Sequence, residues 1–402
     1  MDLHVSISRR LFCVGGAAAW AATAYGREAR RRGFDLVSKT DRRRVLTAAA
    51  EYVRLEPKTI TSFPTKRSPG GLHDFFSQAD YFWPNPANPD GPYINRDGQS
   101  NPDNFNEHRK AMIALSIQMP ALTAAWILTK KREYAVKAAD HLRAWFVTPA
   151  TRMNPNLEYS QGVHGVSTGR SYGIIDTLHL AEVARAASLV APAALDAGER
   201  TALLAWFRDY LHWMETSEKG IAERDTKNNH AVCWALQASE YARLIGDAET
   251  RKAVRDRYKD VFVPDQMGHD GSFPRELART KPYGYSIFNF DMMAMVCQSL
   301  VDGGEDLFEF ALADGRGICL AAAFLEPYLK DKSAWPYRKD VQHFDAWPVR
   351  SPGLLFCGLH CHRDNYIDVW KGLNPDPKDP EIIRNYPVRQ PLLWFQEAQA
   401  AA

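Results

Sequence analysis

The sequence carries almost no net charge, has few cysteines and lacks long apolar runs beyond its N-terminal stretch. Fifty Lys and Arg against 48 Asp and Glu leave a net charge of +2 over 402 residues. That balance excludes a broadly basic face for nucleic acid, although a local cluster of cations remains compatible with it. Since no later segment approaches about 20 uninterrupted apolar residues, the processed chain is expected to have no membrane span.

The cysteines predict neither a disulfide framework nor a metal site. One of the six is Cys13 in the N-terminal stretch, and the others are Cys233, Cys297, Cys319, Cys357 and Cys361. Five is an odd number and the spacing shows no framework, so most are expected to be small buried apolar side chains. The run 357–362 has residue types that zinc binds, but a second cluster at finger-like spacing is missing and zinc is disfavoured.

What the chain does have is the composition of a globular protein. Apolar residues make up 45%, charged residues 24% and aromatic residues 11%. These proportions exclude a disordered, collagenous or coiled-coil protein. The length suits one large or two ordinary domains, and we expect a single domain over residues 25–402.

The first 24 residues are typical of an export signal. A twin-arginine run at 8–12 (SRRLF) precedes a small-to-apolar stretch over 13–21, and residues 22–24 offer a small-x-small cleavage site. Such signals carry already folded proteins across a bacterial inner membrane. The alternative is a membrane anchor, which is disfavoured because the apolar run is too short to span a bilayer. We therefore expect a periplasmic or secreted protein.

Apolar residues recur at helical spacing through most of the chain after residue 108. Helices are predicted over 171–190, 229–245, 248–260, 286–301 and 305–330, with further helical faces within 134–145 and 203–214. The segment 229–245 is apolar almost all round and precedes Gly246, so it is expected inside the protein with a glycine C-terminal cap. Alternating strand patterns are scarce, which predicts an all-α protein. Antiparallel helical hairpins in this number suit an α/α toroid, and a less regular bundle is the alternative.

One long segment, 57–106, breaks the helical pattern. It is rich in Pro, Gly, Asn, Asp and aromatic residues, and a long irregular stretch in a compact domain is usually functional or disordered. Its aromatic content argues against disorder. Tyr81, Trp83 and Tyr93 suit stacking on sugar rings, and Arg96 suits a forked contact with a carboxylate. The alternative is a well-packed cover over the helix ends.

A polar run at the start of the buried helix is the first candidate for chemistry. Asn228 is expected to be the N-cap, which places Asn229 and His230 in the first turn. The helix dipole disfavours imidazolium there, so His230 is expected to stay neutral near pH 7. Polar donors at this point suit recognition of an anion. Plain capping with a hydrogen-bonded histidine is the alternative.

A second run, 270–286, gathers cations and tyrosines in a segment interrupted by Pro and Gly. Arg275, Arg279 and Lys281 are close in sequence to Tyr283 and Tyr285. Cations beside a phenol stabilise its phenolate, which is expected to bring the tyrosine pKa toward a useful range. A solvated turn with ordinary surface charges is the alternative.

Asn, His, Arg and Tyr together suit β-elimination from a polyuronate. The C5 proton is barely acidic while the neighbouring carboxylate is charged, so hydrogen bonds from Asn, His and Arg must neutralise that carboxylate. A base then removes the proton, and an acid protonates O4 as the glycosidic bond breaks. In β-1,4-linked glucuronate or mannuronate, the C5 proton and O4 lie on the same face of the ring, so one tyrosine can serve as both base and acid. This chemistry requires no metal and no cofactor.

In their order and spacing along the chain, several short motifs together resemble those of the alginate-lyase superfamily of polysaccharide lyases. They are Asn229-His230, the run 276–279 (ELAR), Tyr285, Gln161 and the run 169–176 (GRSYGIID), which contains Arg170. The loop motifs 79–86 (ADYFWPNP) and 92–98 (PYINRDG) look closer to its glucuronan (cellouronate) lyase branch. The resemblance covers roughly residues 60–360.

The resemblance implies an incomplete α/α toroid that cleaves acidic polysaccharides by metal-independent elimination in the periplasm. Asn229, His230 and Arg279 would engage the carboxylate, and Tyr285 would be base and acid. His230 is an alternative base for anti elimination, and Tyr283 competes with Tyr285 or contacts substrate. The other expected substrate contacts are Tyr81, Trp83, Tyr93, Arg96, Gln161 and Arg170.

Two departures from the superfamily pattern put alginate itself in doubt as the preferred substrate. Asn-His is followed by Ala231-Val232-Cys233 instead of Ser-Tyr-Trp, and the tyrosine spacing differs by one residue. We therefore expect glucuronan or cellouronate first and mannuronate-rich alginate second.

Two other classes of protein remain open at this point. An inverting glycoside hydrolase would need two carboxylates across the scissile bond, and the candidates are Asp80, Asp97, Asp270 and Glu276. A non-catalytic protein that binds acidic polysaccharides through the loop aromatics is the other class.

Overall fold

Helices make up most of the computed structural model, which describes residues 10–301 and 305–396 and, over 10–27, the backbone alone. The predicted export signal therefore lies outside the described side chains and stays a prediction. The helices are α1 (Arg10–Tyr52), α2 (Glu107–Thr129), α3 (Arg132–Leu142), α4 (Leu180–Ala194), α5 (Ala197–Thr216), α6 (Glu218–Arg224), α7 (Asn229–Ile245), α8 (Ala248–Arg257), α9 (Val263–Gln266), α10 (Pro274–Leu277), α11 (Pro282–Leu300), α12 (Ile318–Lys330), α13 (Gly353–His360), α14 (Asp364–Gly372) and α15 (Pro380–Arg384).

The strands in the described residues are short. They are β1 (Phe76–Gln78), β2 (Phe82–Trp83), β3 (Ile94–Asn95) and β4 (Tyr159–Gly162). β1 pairs with β4 in parallel, and β2 pairs with β3 in antiparallel orientation. The prediction of an all-α protein with few strands is confirmed.

Inner helices pack side by side around the core, and outer helices alternate with them along the chain. The inner contacts run from α1 to α2, α4, α7, α11 and α13, and α13 returns to α1. The helices α3, α5, α8, α12 and α14 pack outside this ring on their neighbours. The predicted incomplete α/α toroid is confirmed, with α1 filling the place between α13 and α2.

The inner helices are buried on nearly all sides because other helices surround them. Met292, Met293 and Met295 of α11 are fully buried core residues, as is typical of methionine at such positions. Helix α2 is long and apolar enough to cross a membrane, but most of it is buried inside the protein, as in a core helix.

Helix α7 begins and ends where the sequence predicts. The Asn228 side chain accepts a hydrogen bond from the backbone N–H of His230, and Gly246 caps the other end at φ +79°. The prediction over 305–330 is wrong in its first half, since α12 begins only at Ile318. Gly315 has a φ of +85° in the preceding turn, a conformation that ends helical geometry and that glycine adopts readily.

A disulfide joins Cys319 of α12 to Cys361 beyond α13, contrary to the sequence expectation. The two Cα atoms lie 5.8 Å apart despite a separation of 42 residues, a proximity that spacing alone does not reveal. Cys233, Cys297 and Cys357 are buried free thiols, as predicted. Within the described chain, no group of three or more His, Cys, Asp or Glu side chains is arranged to hold a metal ion.

The loop 57–106 both covers the helix ends and lines a groove. Phe75, Phe76 and Ala79 of this loop are buried, whereas Tyr81 is only half-buried. The Ala79 N–H donates to the carbonyl of Gly162 at 3.0 Å, next to the pairing of β1 with β4. The two interpretations of this segment therefore apply to different side chains of one loop.

Candidate active site

One cavity of about 290 Å³ lies between the loop 57–106 and the first turns of α7 and α11. The predicted residues that line it are Tyr81, Gln161, Arg170, Asn229, His230, Arg279 and Tyr285. All four side chains predicted for catalysis thus face one space, although they belong to different parts of the sequence.

Asn229 is held by a buried carboxyl group. Its backbone N–H donates to Oε1 of Glu276 at 2.9 Å, and the Glu276 side chain is fully buried. Burial raises the pKa of Glu276, and hydrogen bonds from Asn229 oppose this shift in part. Glu276 therefore lies behind the site as a support for Asn229, outside the cavity lining.

His230 is fixed by a second buried carboxyl group. Its Nδ1 lies 2.6 Å from Oε1 of Glu223, whose side chain is fully buried, and the Tyr172 ring packs edge-on against the imidazole at 5.0 Å. Since a carboxylate can only accept a hydrogen bond, this contact assigns the proton to Nδ1 and leaves Nε2 for a ligand. Sequence reasoning missed Glu223, which precedes His230 by seven residues.

Arg279 is paired within the protein. Its Nη2 donates to Oδ1 of Asp97 at 2.8 Å, and the Thr280 hydroxyl donates to the other carboxylate oxygen at 2.9 Å. Burial lowers the pKa of Arg279, but its bond to Asp97 outweighs this effect and raises the pKa. A substrate carboxylate must therefore share Arg279 with Asp97.

Tyr285 lies beneath the Arg279 guanidinium, which stacks over its ring at 4.6 Å. Its hydroxyl lies 3.0 Å from the hydroxyl of Tyr81. Burial raises the pKa of Tyr285 well above its ordinary value, with a further rise from Tyr81, while Arg279 lowers it only in part. The expectation that nearby cations lower this pKa is wrong, because burial has the larger effect.

Tyr283 does not face the cavity, which corrects its assignment as a substrate contact or rival base. It is fully buried, and its hydroxyl donates to the Tyr328 carbonyl at 2.8 Å. Its ring packs against Trp335 and Phe344 at 4.9 and 5.3 Å. Two residues correspond to about 200° around a helix, so Tyr283 and Tyr285 point in opposite directions.

Tyr81 is surrounded by charged side chains, of which the sequence indicated only Lys281. Its hydroxyl accepts hydrogen bonds from Lys281 Nζ at 2.9 Å and Arg384 Nη2 at 3.3 Å. Both cations also bind Oε1 of Glu381, at 2.6 and 2.9 Å. Glu381 and Arg384 belong to α15, whose start is marked by Asp379 as N-cap and Pro380 at the first position. That pattern indicates a helix but says nothing of its position beside Tyr81.

A buried ionic network forms the floor of the cavity. Arg109 binds Asp80 through two nitrogens and also reaches Asp176 at 3.2 Å. Gln161 donates to Asp176 at 3.1 Å and accepts from Arg170 at 2.9 Å. Gln161 has a φ of +48°, an uncommon conformation for a non-glycine residue that these bonds hold in place.

Three of the predicted substrate contacts lie outside this cavity. Arg96 stacks over the Trp83 ring at 5.2 Å, and the Trp83 indole N–H donates to the Gln99 carbonyl. Tyr93 packs against His164 at 5.2 Å in a separate depression of about 550 Å³. These residues are therefore available only to parts of a ligand that extend beyond the four central side chains.

The carboxylates that line the described cavity are all paired with arginines. The pairs are Asp80 with Arg109 and Arg384, Asp97 with Arg279, and Asp176 with Arg109. Burial would raise the pKa of Asp80, but the charges of Arg109 and Arg384 outweigh it and lower the pKa. An inverting hydrolase needs a carboxylic acid with a raised pKa, so this lining disfavours that alternative.

Comparison with known proteins identifies one family and several solved structures of similar fold. The model of the alginate lyase family, described as "Alginate lyase", matches residues 59–335. No curated protein matches the chain.

The solved structures that resemble the chain include three of particular relevance. An alginate lyase from Bacteroides ovatus is 27% identical, with a TM-score of 0.77 over 90% of this chain and 97% of that one. Alginate lyase A1-III from Sphingomonas species A1 is 15% identical, with a TM-score of 0.55 over 88% and 95% of the two chains. A histidine-to-alanine variant of A1-III complexed with a tetrasaccharide is 16% identical, with a TM-score of 0.56 over 88% and 94%. The two A1-III structures bear on the fold alone.

Proposed function

The chain belongs to the alginate lyase family and is a polysaccharide lyase, and we propose that it cleaves a β-1,4-linked polyuronate by β-elimination. The product would carry a 4,5-unsaturated uronate at its new end. The observation that carries this proposal is the convergence of Asn229, His230, Arg279 and Tyr285 on one cavity.

The first requirement of the reaction is a neutralised carboxylate next to C5. Asn229, His230 and Arg279 supply an amide, an imidazole and a guanidinium to the same space. Hydrogen bonds from these groups stabilise the negative charge that develops when the C5 proton leaves, in the manner of an oxyanion hole. Because Glu276, Glu223 and Asp97 hold them in place, little reorganisation is needed when substrate binds.

The second requirement is a group that takes the C5 proton and returns one to O4. The Tyr285 hydroxyl points into the cavity, whereas that of Tyr283 is used inside the core. In a β-1,4-linked glucuronate or mannuronate, the phenolate of Tyr285 takes the C5 proton, and the resulting phenol protonates the leaving oxygen. On a substrate that needs anti elimination, His230 is the proposed base because its Nε2 is free of Glu223.

We propose that no metal ion takes part. Three polar side chains of the protein itself supply the charge stabilisation that a metal would otherwise provide at the uronate carboxylate. Turnover that survives prolonged dialysis against a chelator supports this proposal, and loss of turnover that added divalent metal restores contradicts it.

The proposed substrate is glucuronan or cellouronate first and mannuronate-rich alginate second. The loop motifs around Tyr81 and Tyr93 support this order, as does the replacement of Ser-Tyr-Trp by Ala231-Val232-Cys233. The test is incubation with glucuronan, polymannuronate and polyguluronate while the absorbance of the unsaturated uronate is followed. The highest rate on glucuronan supports the order; a higher rate on either alginate block overturns it, and no absorbance on any polymer overturns the function.

We also propose that the protein works in the periplasm or outside the cell. The twin-arginine run at 8–12 supports export, and the Cys319–Cys361 disulfide is of the kind that persists in oxidising compartments. Fractionation of bacteria that express the full chain tests this. Recovery of the processed protein in the periplasmic or extracellular fraction supports export, and its retention in the cytoplasm overturns it.

A further inference from the structure

The hydroxyl oxygen of Tyr81 lies among two cations, a second phenol and the Glu381 carboxylate, whose Oε1 is 3.4 Å away. Lys281 Nζ donates to it at 2.9 Å and Arg384 Nη2 at 3.3 Å, while the Tyr285 hydroxyl lies 3.0 Å away. Lys281 is itself buried, with only 4% of its surface exposed. An oxygen that accepts bonds from two cations is the one of the two phenol oxygens better able to carry a negative charge.

Lys281 is placed to act on both tyrosines because of its position in the sequence. It precedes the first turn of α11, and the Tyr285 N–H donates to its carbonyl at 3.0 Å. Its ammonium lies 5.0 Å from the Tyr81 ring centre and 5.3 Å from that of Tyr285. The Lys281 side chain thus faces both Tyr81 of the loop and Tyr285 of α11.

We propose that Lys281 is a positioning residue that, with Arg384, holds negative charge on the Tyr81 oxygen, so that Tyr81 takes the proton of Tyr285 and prepares Tyr285 as the base. This inference rests on the proposed lyase function and extends it to how the base is generated. For this transfer, the two hydroxyl oxygens must share a single proton when the reaction begins.

The proton transfers balance through the cycle. The O–H bond of Tyr285 breaks as the Tyr81 oxygen gains that proton, and the charge moves to Tyr285. The Tyr285 phenolate then takes the C5 proton, the bond between C4 and O4 breaks with its electron pair on O4, and Tyr285 protonates O4. Tyr285 is again a phenolate, to which Tyr81 returns its proton, so the pair is restored without an added reactant.

The charged groups around the tyrosine pair fit this role. Facing Tyr81 are Lys281, Arg384 and Glu381, and facing Tyr285 are Lys281 and Arg279. Further out, Asp97 pairs with Arg279, Asp80 pairs with Arg384, and His343 pairs with Asp379 ahead of α15. Cations therefore outnumber carboxylates at direct contact with the two phenols, which favours one phenolate in the pair.

The experiment compares Lys281→Met, Lys281→Arg and Tyr81→Phe in the full chain, with the exposed Lys330→Met as matched control. Lys281→Met is expected to lower kcat about 100-fold near pH 7, with KM little changed, since Lys281 is not among the residues that line the cavity. The pH at which kcat rises should move upward by about one unit. Lys281→Arg keeps the charge and should recover most of the lost rate, and Lys330→Met should match the wild type.

A second readout does not depend on turnover. The absorbance of tyrosinate is titrated with pH in the wild type and in the three site variants. One tyrosinate should form at lower pH in the wild type than in Lys281→Met, and Tyr81→Phe should lack it. If Lys281→Met does not fold, Lys281→Arg and Tyr81→Phe decide by the same two readouts.

The outcomes separate this inference from the proposed function. If the wild type is active and Lys281→Met has the same kcat and the same pH profile, the inference is overturned. The proposed lyase function then still stands. Equal loss in Lys281→Met and Lys281→Arg, without a change in the tyrosinate titration, also overturns it, because the residue is then only structural. A wild type that yields no unsaturated uronate overturns the function, while the titration still reports on the tyrosine pair.

Discussion

Nδ1 of His230 lies 2.6 Å from Oε1 of Glu223, a carboxylate that solvent does not reach. Glu223 belongs to α6 and His230 to the first turn of α7, so the bond ties the two helices at the edge of the cavity. It fixes both the direction of the ring and the nitrogen that carries the proton.

Replacement of Glu223 by Gln should therefore impair catalysis more than folding. An amide can donate as well as accept, so the His230 tautomer is no longer set, and kcat/KM is expected to fall about 10- to 100-fold. The rate of unsaturated-uronate formation and the melting temperature are the measurements. Glu218→Gln on the exposed side of α6 is the control and should change neither; equal rates in the two variants would remove the role assigned to Glu223.

The two tyrosines of α11 make a matched pair. Tyr285→Phe should lose most of the turnover and keep its melting temperature, since its hydroxyl faces the cavity. Tyr283→Phe should keep its turnover but lose a buried hydrogen bond to Tyr328, a loss of about 1 kcal/mol in the free energy of unfolding. Initial rates and urea unfolding curves test both, and the reverse pattern would assign the chemistry to Tyr283.

Substitutions at Gly98 and Gly246 distinguish the effect of backbone strain on stability from the effect of a disturbed active site on activity. Both have positive φ, +78° and +79°, so a change to Ala should destabilise each by about 1 kcal/mol. A Cβ at Gly98 would lie 2.5 Å from Oγ1 of Thr280, which binds Asp97, whereas nothing lies within 4 Å of a Cβ at Gly246. Gly98→Ala should therefore also lower kcat/KM, and Gly246→Ala should not. Thermal melts compare the stability of the two variants, and activity assays on the folded proteins compare their kcat/KM.

Because of two buried carboxyl groups, the free energy of unfolding is expected to fall as pH rises from 5 to 8. Burial raises the pKa of Glu182 and of Asp291 to about 7. The folded state thus binds these protons more tightly than the unfolded state. The resulting stability is fully present below the ordinary carboxyl range and is lost as pH rises through about 7, by about 3 kcal/mol for each group.

Urea unfolding followed by tryptophan fluorescence at several pH values measures this slope. Asp291→Asn should flatten it, since one of the two titrating groups is gone. A wild-type free energy of unfolding that stays level from pH 5 to pH 8 would contradict the prediction.

The Cys319–Cys361 disulfide should stabilise the fold without touching the reaction. Its closed loop of 42 residues predicts a contribution of about 4 kcal/mol from restriction of the unfolded chain, or roughly 5 °C in melting temperature for a chain of this size. The double variant Cys319→Ser/Cys361→Ser should show this drop with full turnover at low temperature. A thiol reductant should lower the wild-type melting temperature and leave that of the variant unchanged.

Features that depend on sequence neighbours could be predicted closely. The bounds of α7 follow from the Asn228 cap, the apolar periodicity and Gly246, all of which act within a few residues. The motifs around Asn229 and Arg279 likewise belong to short runs, and the structure brings them to one cavity.

Features that depend on contacts between distant parts of the sequence could not be predicted. Spacing cannot tell which face of α11 meets the cavity, so Tyr283 stayed a competitor of Tyr285 until its packing against Trp335 was known. Lys281 binds Glu381 across 100 positions of the chain, and Tyr81 binds Arg384 across 303. Local patterns carry no information about such pairs, which is why Glu381 and Arg384 were missed.

Helix α15 supplies the charged groups beside Tyr81 that are synthesised last. Arg384 and Glu381 reach Tyr81 only after nearly all of the toroid has left the ribosome, because they follow Tyr285 by about a hundred positions. A nascent chain that already contains Asn229, His230 and Tyr285 still lacks Glu381 and Arg384 beside Tyr81. Premature stop codons before Pro380 are therefore expected to yield protein without turnover, and enzymatic competence arises at the close of synthesis.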